Sequence, residues 1–135
     1  VRWPGKIPSG RVNHSSILSG LDFLPTLCHL TGTSYDKNKF EGLNVSDVWL
    51  GEKRNYQRFL FWAKQSPVGL SNNWKYHVNK QSGDELYDLA KDPNETNNLI
   101  TKNPEKAASM RSSVMTWYEG LPTLATKARG SNPKK

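Results

Sequence analysis

Cysteine is nearly absent. The 135-residue chain has one, Cys28, so no disulfide can form within it. It has no apolar run long enough to span a bilayer and no signal-peptide core. RNA-recognition signatures, zinc-finger spacing and basic helices are also missing, which leaves nucleic-acid binding without a motif. There is no phosphate-cradling glycine loop of either common type and no internal repeat. His14, His29 and His77 lack metal-ligand spacing and read as a loop residue, a helix side chain and a strand residue. Acidic residues are scarce: 12 against 19 lysines and arginines, a net charge of +7. Such a balance suits anionic partners such as nucleic acid, sulfated glycans or anionic surfaces. It equally suits a solvated surface and tail, where Lys127, Arg129, Lys134 and Lys135 cluster.

What is present describes a globular chain. Hydrophobic residues make up 35% and charged residues 23%, and the length suits one domain with a modest core. The chain opens on Val1-Arg2-Trp3-Pro4-Gly5, as if in mid-strand, and is expected to be a C-terminal part of something larger. Three Asn-x-Ser/Thr sequons begin at Asn13, Asn44 and Asn94.

The least generic stretch runs from Gly83 to Leu99, GDELYDLAKDPNETNNL. Glu85 to Leu89 alternates polar and apolar residues, the pattern of a half-buried strand. Asp92-Pro93 stops it, because proline fixes its own backbone and biases the preceding residue away from helix. Residues 58–62 and 70–78 read as further strands. In the second, Trp74, Tyr76 and Val78 share one face, and Lys75 and His77 the other. Short separations make the sheet antiparallel, with Gly83-Asp84 closing a hairpin.

Two helices frame these strands. Residues 22–30 carry Leu24, Leu27 and Cys28 at helical spacing, Pro25 in the first turn and Gly32 as a left-handed stop. Asp22 sits where a capping residue belongs, which outweighs a reading as a catalytic acid. Residues 103–120 form the clearest helix. Asn103 is placed to cap it, Pro104 opens it, and Ala107, Met110, Val114, Trp117 and Leu121 make one apolar stripe to pack on the sheet. Between them, Leu43, Val45, Val48 and Leu50 are expected to be buried in a loop and short helical turn.

Several of these pieces resemble the sulfatases, and they occur in that family's order. They are Arg2-Trp3-Pro4-Gly5-Lys6-Ile7, Asp22-Phe23-Leu24-Pro25-Thr26 with Gly32, the passage from Glu41-Gly42 to Leu50-Gly51, Trp74-Lys75, and Glu85 to Leu89 with Asp92-Pro93, Glu95 and Asn98-Leu99. The resemblance covers about Val1 to Leu121. It is nearest to bacterial arylsulfatases and N-acetylgalactosamine-6-sulfatase-like proteins. The chain departs from the pattern at Ser71-Asn72-Asn73, where many relatives carry an arginine, and at Glu41, where aspartate is usual.

The resemblance implies the C-terminal portion of an α/β, alkaline-phosphatase-like sulfatase. On that basis residues 1–32 end the core domain, 33–57 connect, 58–121 form an antiparallel sheet packed by a C-terminal helix, and 122–135 are a flexible basic tail. It also implies a parent that hydrolyses sulfate esters on a small molecule or glycan in a secreted, periplasmic or lysosomal-type compartment, using formylglycine and calcium. Both belong to motifs upstream of this chain. Formylglycine arises from the first residue of a C/S-x-P/A-x-R motif. Cys28 is followed by His29, Leu30, Thr31 and Gly32, which do not complete it, so Cys28 reads as a small core residue. Asp88 and Asp92 fall on a strand and a turn and do not read as a catalytic carboxylate pair. The expected catalytic, cofactor-binding and metal-ligating residues of this chain are therefore none, and the chain alone is expected to be inactive. Two other readings remain: a non-catalytic module binding anionic glycans, and a phosphomonoester or phosphonate hydrolase of the same superfamily.

Overall fold

The structure is a computed structural model that describes residues 1–52, 54–63 and 66–122. The chain forms two compact units, Val1–Arg58 and Phe59–Lys135. The basic tail expected from residue 122 lies, from residue 123 on, outside the described residues.

The first unit is built around a helix entry. Ser19 and Asp22 form a capping box on a single 3-10 turn, Gly20–Asp22. The Ser19 hydroxyl accepts from the Leu21 N–H, and the Asp22 carboxylate reaches back to the Ser19 N–H at 2.7 Å. Helix α1, Phe23–Thr31, follows directly. It stops at Gly32, whose φ of +70° lets the Thr33 N–H close on the Cys28 carbonyl at 2.8 Å. Pro25 and Thr26 are buried. Thr26 Oγ1 accepts from the Val45 N–H at 3.0 Å, which pins the segment leading into α2, Ser46–Leu50. Gly42 permits this approach, since a Cβ there would strike the Leu21 carbonyl.

Burial in this unit differs from the sequence expectation. Val45 is buried and Val48 partly so, but Leu43 and Leu50 are exposed. A five-residue helix turns only one short side inward, and polar bonds from Thr26 and Asp22, rather than apolar contacts, hold its approach. Cys28 is half-buried rather than a core residue. The outer side of α1 is left apolar: Phe23, Leu24 and Leu27 are 51%, 43% and 48% exposed.

The second unit is a four-stranded antiparallel meander in the order β1-β2-β3-β4. Its strands are β1, Phe59–Ala63; β2, Pro67–Ser71; β3, Trp74–His77; and β4, Glu85–Asp88. The register places Phe61 opposite Gly69, Gly69 opposite Tyr76, and Tyr76 opposite Leu86. The strand expected over residues 70–78 is two strands. The chain reverses at Asn72-Asn73, and Asn72 takes φ +53°, a left-handed conformation that asparagine tolerates better than most residues.

Helix α3, Pro104–Glu119, lies on one face of this sheet. Ala107, Met110 and Val114 are buried with Tyr76, Val78 and Leu86 in a single core. Burial of each large apolar side chain contributes about 1.5–3 kcal/mol. Phe59, Phe61 and Trp117 stack in series, with centroids 4.6 and 5.1 Å apart. Gly69 sets how closely helix and sheet approach: a Cβ there would meet Val114 Cγ2 at 2.5 Å and a Phe59 ring carbon at 2.7 Å. Asn103 precedes the helix but makes no side-chain cap. Its amide instead donates back to the Leu99 carbonyl at 3.3 Å.

Candidate functional site

Two polar centres stand out, one in each unit. In the first, Asp22 is 1% exposed. Its carboxylate accepts from the backbone N–H groups of Ser19 (2.7 Å) and Leu43 (2.9 Å) and receives both terminal nitrogens of Arg58, Nη1 at 2.9 Å. Arg58 Nε donates to the Ile17 carbonyl at 3.1 Å. Burial pushes the Asp22 carboxyl up. The Arg58 hydrogen bonds and charge, with the two backbone donors, outweigh it and hold the group below the usual carboxylate range. An ionised carboxylate saturated with donors has no proton to give and no lone pair directed at a substrate. The arrangement ties α1 to residues 17–19, 43 and 58. The capping role expected of Asp22 is present toward Ser19, but no side-chain cap forms on α1 itself. The Arg58 partner, 36 residues away, had no local signal in the sequence.

In the second unit, the polar residues of the 83–99 stretch each take a structural partner. Asp92 accepts from the N–H groups of Thr96 and Asn97, both at 2.8 Å, and these donors hold its carboxyl below the usual range. Asn98 Oδ1 accepts from the Leu86 N–H at 3.1 Å, fastening the turn to β4. Glu95 takes φ +56° and places its carboxylate between Lys75 Nζ (2.6 Å) and His77 Nε2 (3.2 Å), the outward side chains of β3. Asp84 accepts from the Tyr76 hydroxyl (2.7 Å), Arg111 Nε (3.0 Å) and the Asn79 N–H (2.9 Å). Burial first, and the Asp84 carboxylate second, push the Tyr76 hydroxyl far above its usual range. Asp88 accepts from the Ala90 N–H and pairs with Lys91.

These centres hold the fold and contain no assembled nucleophile and base. His14 and His29 are exposed, His77 is bound to Glu95, and Cys28 lies within α1. Among the described residues, no group of three or more histidine, cysteine, aspartate or glutamate side chains is placed to hold a metal ion. No helix among them is long and apolar enough to cross a membrane.

Comparison with known proteins locates the chain. No family model matches it. Arylsulfatase G of Rattus norvegicus is 38% identical over 68 residues, which are 50% of this chain and 13% of that protein. The delta 4,5-hexuronate-2-O-sulfatase of Bacteroides thetaiotaomicron is 30% identical over 105 residues, 70% of this chain and 21% of that protein. The chain thus spans a small part of the length of the curated relatives it matches. A crystal structure of Ps i-CgsB in complex with k-i-k-neocarrahexaose superposes with a TM-score of 0.68 at 21% identity, over 85% of this chain and 27% of that one, which shows a shared fold. The small antiparallel sheet with its C-terminal helix is consistent with the alkaline-phosphatase-like architecture expected from the sequence. By its sequence relatives, this chain belongs to the sulfatase family.

Proposed function

We propose that this chain is the C-terminal part of a sulfatase that hydrolyses sulfate esters, aryl or glycan, in a secreted, periplasmic or lysosomal-type compartment. The observation that carries the reading is the likeness to an enzyme named as a hexuronate-2-O-sulfatase over 70% of the chain. The fold it shares with a structure holding a neocarrahexaose supports a glycan as the substrate class.

On this reading the formylglycine and calcium expected for the family come from outside these residues. The described residues fit neither group: no acidic or histidine cluster is placed to hold a metal, and Cys28 lies in α1 without its motif. No chemical step runs through them. The chain's own contribution is mechanical. The Asp22–Arg58 clamp fixes α1, and the sheet with α3 gives a rigid C-terminal body. The purified 135-residue chain should release no sulfate from a generic aryl sulfate, with or without calcium, whereas the native protein that contains it should. Calcium-dependent turnover by the chain alone would contradict the proposal, and release of phosphate in place of sulfate by the native protein would move it to the phosphohydrolase reading.

A further inference from the structure

Two of the three Asn-x-Ser/Thr sequences put their asparagine to structural use, and the third does not. Asn13 Oδ1 accepts from the N–H groups of Ser15 (3.0 Å) and Ser16 (2.8 Å), and its amide donates to Ser16 Oγ at 3.3 Å. Asn44 is half-buried beside the buried Val45, and its Oδ1 accepts from the Ser46 N–H at 3.1 Å. Asn94 is exposed, and its carboxamide has no partner among the described residues. It stands in a reverse turn closed by the Glu95 N–H on the Asp92 carbonyl at 3.2 Å. Pro93 fixes the backbone before it, and Glu95 after it takes φ +56°. The turn is held by its other residues. The Asp92 carboxylate accepts from the N–H groups of Thr96 and Asn97 and, at 3.0 Å, from the Thr96 hydroxyl. Glu95 is tied to Lys75 and His77, and Asn98 to β4. None of these bonds uses the Asn94 side chain, and Thr96, two residues on, is exposed as well.

We propose that Asn94 carries an N-linked glycan, with Thr96 as the hydroxyl residue that completes its acceptor sequence. The reacting partner is an oligosaccharide joined through its anomeric carbon to a lipid diphosphate. The Asn94 amide nitrogen bonds to that carbon and loses a proton. The carbon–oxygen bond to the diphosphate breaks, and the lipid diphosphate leaves with the electron pair. No oxidant or reductant is needed. The glycan is bulky and solubilising, and at Asn94 it sits where no bond of the turn has to break. The inference draws on the secreted or lysosomal-type compartment of the proposed function, because a lipid-linked sugar donor is met on the secretory route. It assigns a modification, with no part in sulfate release.

The test is peptide mass spectrometry on the native protein that contains this chain. Enzymatic removal of N-glycans in heavy-oxygen water converts a glycan-bearing asparagine into a labelled aspartate. The label is expected at position 94 in most molecules. It should vanish in Asn94→Gln and in Thr96→Ala, and it should return in Thr96→Ser, which keeps the hydroxyl that bonds Asp92. A position-94 peptide without the label, a label confined to Asn13 or Asn44, or one that persists in Thr96→Ala and so marks spontaneous deamidation would overturn the proposal. The two readings fail separately. Sulfate release by a native protein unlabelled at position 94 removes the glycan site alone. A labelled native protein that releases no sulfate keeps the site and removes the sulfatase reading.

Discussion

Replacing Arg58 with methionine should be the most damaging single change in the first unit, and its cost should depend on pH in a defined direction. Among the described residues, Arg58 is the one cationic side chain that reaches Asp22, which is 1% exposed. Methionine keeps much of the aliphatic stem and removes the charge. A carboxylate left buried without its cation costs about 3–5 kcal/mol. The lost bond from Arg58 Nε to the Ile17 carbonyl adds about 1 kcal/mol. The sign follows from linkage. In the native chain the folded carboxyl lies below its unfolded value, so its contribution is present above the unfolded pKa and is lost as pH falls through the folded one. In Arg58→Met the burial that raises the carboxyl is opposed by two backbone N–H donors alone. Protonation then relieves the variant while it harms the parent. The difference between them should be about 4–6 kcal/mol at neutral pH and should shrink as pH falls below the ordinary carboxylate range. Native-state hydrogen exchange over residues 17–52, in the full chain at several pH values, measures it. A loss under about 1 kcal/mol at neutral pH, or one independent of pH, would refute the reasoning.

Other outcomes follow from the same contacts. Gly69→Val should destabilise the second unit by about 1–3 kcal/mol in urea melts, because its side chain runs into Val114 and Phe59, and Val114→Ala in the same chain should restore part of the loss. Glu95→Ala should be less stable than Glu95→Gly by about 1 kcal/mol, since both lose the Lys75 and His77 bonds but only glycine accepts φ +56° without strain; equal melting of the two would contradict this. The isolated chain should self-associate through the exposed apolar side of α1, and Leu24→Glu with Leu27→Glu should yield a monomer by sedimentation; a monomer in the unmodified chain would argue against it.

The second unit was legible in the sequence where local rules suffice. The alternation of Glu85 to Leu89, the Asp92-Pro93 stop and the stripe of Ala107, Met110 and Val114 each carry their own explanation, and β4, its turn and α3 appear within a residue or two of expectation. β2 was hidden because Pro67 and Gly69 weaken a strand pattern, and Gly69 is there for a contact with α3 that only the tertiary structure reveals. Asn103 sat in a capping position, yet the Leu99 carbonyl claims its amide. Asp22 showed its local half, the bond to Ser19, but not the distant Arg58 that dominates its environment. The tie between the N-terminal segment and the end of α2 was invisible for the same reason: Arg11 donates to the Gly51 carbonyl across 40 residues.

The central claim is that these residues serve a sulfate-ester hydrolase without supplying its reacting groups. Free sulfate measured by ion chromatography, after the native protein containing this chain and the purified 135-residue chain are each incubated with the same sulfated oligosaccharide, tests it most directly. The account predicts sulfate from the native protein and none from the chain. Sulfate from the chain alone, or none from the native protein on any aryl or glycan sulfate, would contradict it.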